Sequence, residues 1–100
     1  MAKQSVLKRE RKRTSLRIKY CAYRNLLRGL LRQSKSPDET QNLNWKLYNL
    51  PRDSSLVRKR NRCLLTGRSR GFYRLFGLSR MPIRNLISKG ELPGITKSSW

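Results

Sequence analysis

Leu16, Tyr20, Tyr23, Leu27 and Leu30 recur at helical spacing, and Leu26 and Leu31 widen the stripe. Lys19, Arg24, Arg28 and Arg32 fall mostly on the other faces, so the pattern predicts a basic amphipathic helix. Gly29 inside it costs about 1 kcal/mol relative to Ala. Upstream, residues 1–13 have almost no apolar face. Their run Lys8-Arg9-Glu10-Arg11-Lys12-Arg13 reads as a basic arm that does not fold alone, in the style of RNA-binding arms or of a localisation signal. Downstream, Ser36-Pro37-Asp38-Glu39 is a helix start in which Ser36 caps, Pro37 suits the first helical position and Glu39 completes a capping box. Leu43, Leu47 and Leu50 mark one face of this second helix, and Pro51 stops it. Trp45 and Tyr48 lie off that face, available to a protein neighbour or to the preceding helix.

Residues 52–62 combine turn formers with charge and read as an extended loop. The stretch from Arg60 to Arg80 then alternates arginines with glycines and aromatics and contains no acid. Gly67, Gly71 and Gly77 permit tight turns beside a polyanion. Arginine binds phosphate through a planar fork and stacks on bases, while Phe72, Tyr73 and Phe76 supply either a small core or stacking faces. We call this stretch the knuckle. Ser79 then stands as the cap of a short helix carrying Ile83, Leu86 and Ile87, with Pro82 in its first turn and Gly90 at its left-handed end. Leu92-Pro93-Gly94-Ile95 reads as a turn, and Phe72, Phe76, Leu78, Ile83, Leu86, Ile87, Leu92 and Ile95 are enough for a miniature core.

Charge sharpens this outline. The 100 residues carry 25 Lys and Arg against 5 Asp and Glu, a net charge of +20. Self-repulsion on that scale opposes a compact free state, so full folding is expected only against a polyanion. The excess is uneven: residues 1–35 hold twelve basic residues against Glu10, residues 36–55 are nearly neutral, and residues 56–100 hold eleven against Glu91. Three segments follow: arm and amphipathic helix (1–35), near-neutral helical spacer (36–55), and RNA-binding C-terminal module (56–100). The candidate phosphate ligands are Lys3, Lys8, Arg9, Arg11, Lys12, Arg13 and Arg17 in the first segment. In the third they are Arg58, Lys59, Arg60, Arg62, Arg68, Arg70, Arg74, Arg80, Arg84 and Lys97.

Other chemistry is absent from the sequence. There is no histidine, no paired carboxylate and no phosphate-loop glycine pattern, so neither catalysis nor a small-molecule substrate is expected. Two distant cysteines, Cys21 and Cys63, without a secretory leader argue against a disulfide framework and for a reducing compartment. No apolar run is long enough to span a membrane. Cys63, Thr66, Ser79 and Pro82 stand at zinc-knuckle spacing, but one thiolate cannot hold zinc. No metal or other cofactor is expected, and Cys63 reads as a small buried apolar residue.

The knuckle also carries a resemblance. Arg60-Asn61-Arg62-Cys63 with Thr66-Gly67-Arg68, then Phe76-Gly77-Leu78-Ser79-Arg80, is similar to the signature of the small-ribosomal-subunit protein S-fourteen family. Met1-Ala2-Lys3-Gln4-Ser5, Leu50-Pro51-Arg52-Asp53-Ser54-Ser55, Pro93-Gly94 and Ser98-Ser99-Trp100 extend it over essentially the whole chain. Ser69 departs from the proline usual after the motif's arginine. The resemblance implies a small, mainly α protein whose basic arm and helices precede a compact zinc-ribbon-like knuckle lacking the metal. It further implies a structural role in the small-subunit head, on the 3′ major domain of the rRNA, beside proteins S-three, S-ten and S-nineteen. Rare alanine and frequent Leu, Ser, Arg and Asn suggest the A+T-biased genome of an organelle, and Arg70-Gly71-Phe72-Tyr73-Arg74 and Lys89-Gly90-Glu91 resemble proteobacterial and mitochondrial members more than plastid ones. An organelle-encoded mitochondrial ribosome is therefore expected, with bacterial cytoplasm or plastid as alternatives. Two rivals remain on residues alone: a free-standing basic nucleic-acid-binding protein, and a membrane-active cationic peptide built on residues 16–31.

Overall fold

The computed structural model describes residues 2–98. Met1 of the expected arm, and Ser99 and Trp100 of the closing tripeptide, lie outside the described residues. Helix α1 (Gln4–Gln33) is followed by α2 (Pro37–Tyr48), two single-turn 3-10 helices (Arg52–Ser54 and Leu56–Arg58), strands β1 (Phe72–Tyr73) and β2 (Leu78–Ser79), and α3 (Arg80–Ser88). Two compact units result: one from residues 8–59, the other from residues up to 7 together with those from 60 onward.

The basic segment expected as an arm is helical from Gln4. Lys, Arg, Gln and Glu are all good helix formers, and Glu10 pairs with Arg13 one turn on at 3.1 Å. In the 8–59 unit the buried side of α1 differs from the predicted stripe. Leu27 is 2% exposed, which contributes about 1.5–3 kcal/mol. Arg24, however, shares the interior, while Tyr23, Leu26 and Leu30 stay exposed. Arg24 was expected on a solvated face; it is buried because the segment after α2 supplies oxygens for its guanidinium. Its Nε donates to Ser54 Oγ at 2.8 Å and its Nη2 to the Pro51 carbonyl at 3.1 Å. Ser54 also closes on Pro51 through its N–H at 3.1 Å, so residues 51–54 form a helical turn in place of the extended loop expected there.

The α1–α2 corner follows the sequence closely. Ser36 is extended (φ −91°, ψ 143°) and its hydroxyl accepts the Glu39 N–H at 3.3 Å, while Pro37 opens α2. Ser34 and Thr40 hydroxyls bond at 3.1 Å across the corner. Leu43, Leu47 and Leu50 are half-buried as their spacing predicts, and Trp45 and Tyr48 are exposed. Asn49 ends α2, two residues before Pro51.

In the other unit, two five-residue turns share one design. Gly67 N–H reaches back to the Cys63 carbonyl and Gly77 N–H to the Tyr73 carbonyl, both at 2.9 Å, and both glycines have positive φ (72° and 65°). The second turn joins β1 to β2 in an antiparallel pair with Phe72 opposite Ser79 and Tyr73 opposite Leu78. Leu64 N–H donates to the Gly77 carbonyl at 3.2 Å and ties the turns together. Chain direction then passes into α3 through Arg80 N–H, bonded to the Gly71 carbonyl at 2.8 Å. The end of α3 is a Schellman turn: Glu91 N–H bonds the Leu86 carbonyl and Gly90 N–H the Ile87 carbonyl, each at 3.0 Å, with Gly90 at φ 73°. Ile83 is buried and Phe72, Phe76, Leu78, Leu86, Ile87 and Leu92 are half-buried, whereas Ile95 of the expected core is exposed.

The chain start closes over the first turn. Ala2 N–H donates to the Thr66 carbonyl at 3.4 Å, and a Cβ added at Gly67 would lie 2.6 Å from Leu7 Cδ2. The Leu7 tip is flexible, so the positive φ is the harder constraint. Gly67→Ala is expected to destabilise this unit by about 1–2 kcal/mol through the left-handed backbone. Urea unfolding in sulfate buffer, which screens the net charge, measures it. Adding Leu7→Ala should not restore the loss; full restoration would show that side-chain collision, and not φ, demands glycine.

Candidate nucleic-acid interface

The knuckle turns hold most of their arginines at the surface. Arg60, Arg68, Arg70, Arg74 and Arg80 are exposed, as is Arg84 on α3. Arg62 is half-buried and its Nη1 donates to the Gly67 carbonyl at 3.1 Å, bracing the first turn. Arg62, Arg68 and Arg70 come together around a cleft of about 320 Å³ that also includes Ala2 and Ser69. The Arg80 stem lies 3.5 Å from the position a Gly71 Cβ would take. Leu64, Leu65, Tyr73 and Leu75 are exposed in the same stretch, which puts apolar and aromatic surface next to guanidiniums.

The remaining predicted residues are scattered. Lys3 precedes α1, and Lys8, Arg9, Arg11 and Lys12 are exposed along it. Arg17 is half-buried on the same helix. Lys59 is exposed, and Lys97 Nζ bonds the Ser88 hydroxyl. Arg13 and Arg58 are engaged internally: both reach Asp53 Oδ1, at 3.4 and 3.1 Å. The Arg58 hydrogen bond, with Arg13 nearby, holds the Asp53 carboxyl below the usual carboxylate range. These two are therefore less available to phosphate than their exposed neighbours. Arg24 was missed as a structural residue, because helical spacing alone assigns it to a solvated face.

Cys63 is 3% exposed, as expected for a small buried residue, but its surroundings are polar. Burial pushes the thiol up, yet hydrogen bonds from the hydroxyl and N–H of Thr66 and the N–H and hydroxyl of Ser79 outweigh it and take the thiol down to about 6. The Ser79 hydroxyl is the weakest of the four. Ser79 is 1% exposed, and its Oγ has no hydrogen-bond partner of ordinary geometry. That hydroxyl does not cap α3, contrary to the sequence expectation; the Ser79 backbone alone makes the entry (φ −82°, ψ 166°). Thr66 and Ser79 thus surround the sulfur at two of the zinc-spacing positions, and Pro82 is buried. This donor set does not fit zinc: it offers one thiolate, two hydroxyls and a proline. Among the described residues no three His, Cys, Asp or Glu side chains converge.

A small, mainly helical scaffold that exposes arginines on glycine-ended turns defines a strongly basic protein. Residues 46–99 match the family described as ribosomal protein S14p/S29e. Over 100 residues, covering all of both chains, the sequence is 50% identical to "Small ribosomal subunit protein uS14c" of Euglena longa. At the same full coverage it is 49% and 50% identical to "Small ribosomal subunit protein uS14" of Acaryochloris marina and Microcystis aeruginosa. The chain belongs to the uS14 family of ribosomal proteins. These relatives, a Euglena form and two cyanobacterial ones, favour a plastid or bacterial setting over the mitochondrial one expected from composition and from the 70–74 and 89–91 motif details. Scarce alanine reports nucleotide bias, which does not separate one organelle from another.

The Cys63 environment gives a pH test. A thiol whose folded pKa is lowered to about 6 adds stability above its unfolded value of about 8.5, and loses it as pH falls through 6. Melting temperature in sulfate is expected to rise from pH 6 to about 8.5 and then level off. Thr66→Val should flatten this rise. Thiolate ultraviolet absorbance in a Cys21→Ser chain reads the same titration directly; a midpoint near 8.5 would contradict it.

Proposed function

We propose that the protein is a structural constituent of the small ribosomal subunit of a plastid or bacterial ribosome, binding rRNA of the subunit head through its 3′ major domain. Full-length identity to small-subunit proteins is the observation that carries this reading. Physical support comes from 25 cations facing 5 carboxylates, with most knuckle arginines exposed. Such a protein neutralises phosphate repulsion where RNA helices converge, so that tertiary contacts close. The nearly neutral α2, with Trp45 and Tyr48 exposed, suits protein neighbours, which the family resemblance names as S-three, S-ten and S-nineteen. The turn pair around Cys63 is a zinc-ribbon-like knuckle in which backbone and hydroxyl hydrogen bonds take the place of metal. Binding and neutralisation need no reaction step.

Sedimentation of ribosomes from the protein's own cells tests the assignment. A tagged chain should track the small-subunit peak through a salt wash; a position at the top of the gradient would refute it. The exposed cations of α1 give a second, quantitative expectation. Replacing Lys8, Arg9, Arg11 and Lys12 with alanine should flatten the salt dependence of rRNA binding by about 0.7–0.9 for each phosphate no longer neutralised. An unchanged slope in filter binding would mean that this part of α1 faces no phosphate.

A further inference from the structure

Within the 8–59 unit, a cleft of about 450 Å³ opens beside the Arg24 clamp. Its walls carry three guanidiniums, Arg17, Arg24 and Arg28, and no carboxylate. Arg24 is 9% exposed, and its hydrogen bonds run to neutral oxygens only, those of Ser54 and Pro51. A cation with so little water around it strongly favours an anion. Asp53, which precedes the cleft-lining Ser54, is already shared between Arg13 and Arg58. The free chain therefore holds a positive cleft whose counter-charge must come from outside.

The other walls narrow the chemistry. Ile18 and Leu56 are exposed and apolar, and Asn25, whose Nδ2 faces the Cys21 sulfur at 3.7 Å, presents its amide. Arg24 and Arg28 lie one helical turn apart, about 6 Å along the axis. An arginine fork suits phosphate, a guanidinium plane and an apolar wall suit a base face, and an amide suits a base edge. The volume is within the range of pockets that enclose small ligands, and is larger than a lone phosphate needs.

We infer that this cleft is a receptor for one unstacked nucleotide of the small-subunit rRNA, its phosphate on Arg24 and Arg28, its 5′ or 3′ neighbour phosphate on Arg17, and its base against Ile18 and Leu56. The inference rests on the rRNA-binding function proposed above and adds the site. Arg24 has a double part: it fastens residues 51–54 and charges the cleft that they help to form. Arg17 and Arg28 make no bond to the clamp, so they separate binding from folding.

The test uses the full chain and protein-free small-subunit rRNA. The double variant Arg17→Gln/Arg28→Gln is expected to keep the parent circular dichroism and to lower the salt slope of binding by about 0.7–1.4, between one single-strand phosphate and two, because Arg24 still faces one of them. Ile18→Ala/Leu56→Ala should weaken binding several-fold with the slope unchanged, because it removes an uncharged surface. Exposed Cys21, which lines the cleft, should be protected from maleimide by rRNA in the parent and not in the double variant. If the parent binds rRNA with a salt slope while the double variant matches its affinity, slope and Cys21 protection, the cleft assignment falls and the ribosomal reading stands. Should the double variant bind free rRNA normally but be lost from assembled subunits, the cleft holds an acidic protein segment and the inference is overturned. A parent chain that shows no salt-dependent rRNA binding would instead overturn the function itself.

Discussion

Excess positive charge is the constraint under which every part of this chain is built. Five carboxylates serve 25 cations, and four of them sit where a local fold needs them. Glu10 joins Arg13 along α1, Asp53 gathers Arg13 and Arg58 at the turn after α2, and Asp38 and Glu39 stand in the first turn of α2, where the helix dipole favours them. With so few acids, neutral oxygens take over the holding of arginines inside the protein. Arg24, held by Ser54 and Pro51, is the example. Arg24 thereby keeps its positive charge at the wall of a cleft, beside Arg17 and Arg28.

The knuckle shows how a small unit keeps its shape with very little buried hydrocarbon. Cys63 and Ile83 are its buried apolar residues, and the phenylalanines are only half-covered. Geometry is instead set by backbone bonds: two glycine-ended turns, their cross-link from Leu64 to Gly77, and the step from Gly71 to Arg80. The buried Cys63 sulfur lies among them, beside Thr66 and Ser79, whose N–H groups and the Thr66 hydroxyl pull its pKa down. Because these bonds are short-ranged, the arginines between them are placed by the turns and not by long side-chain packing. Exposed Leu64, Leu65 and Leu75 then remain at the surface, where a small domain alone cannot cover them.

Much of this was legible in the residues. Ser36 with Pro37 opened α2, Gly90 ended α3, Gly67 and Gly77 marked the turns, and the Leu43, Leu47 and Leu50 face was half-buried as spaced. These are local rules, in which one residue and its near neighbours decide the backbone angle or the cap. The failures came where a side chain had two possible partners. Ser79 looked like a cap, yet its hydroxyl turns toward a sulfur sixteen positions earlier. Arg24 looked solvated, yet oxygens about thirty residues later draw it inside. The basic segment looked structureless because it lacks an apolar stripe, although its residues favour helix strongly enough to extend α1 to Gln4.

The sequence by itself determined the charge, the family signature, the helix boundaries set by caps and prolines, and the single thiol at zinc-knuckle spacing, since each depends on which residue stands at a position. Only the tertiary structure decided which cations are exposed, which are held by Asp53, and which is buried as a clamp. The reason is that a guanidinium reaches far from its backbone and bonds whatever oxygen the fold brings within about 3 Å. Periodicity reports the direction of a Cβ, but not the atom that waits at the end of a long side chain.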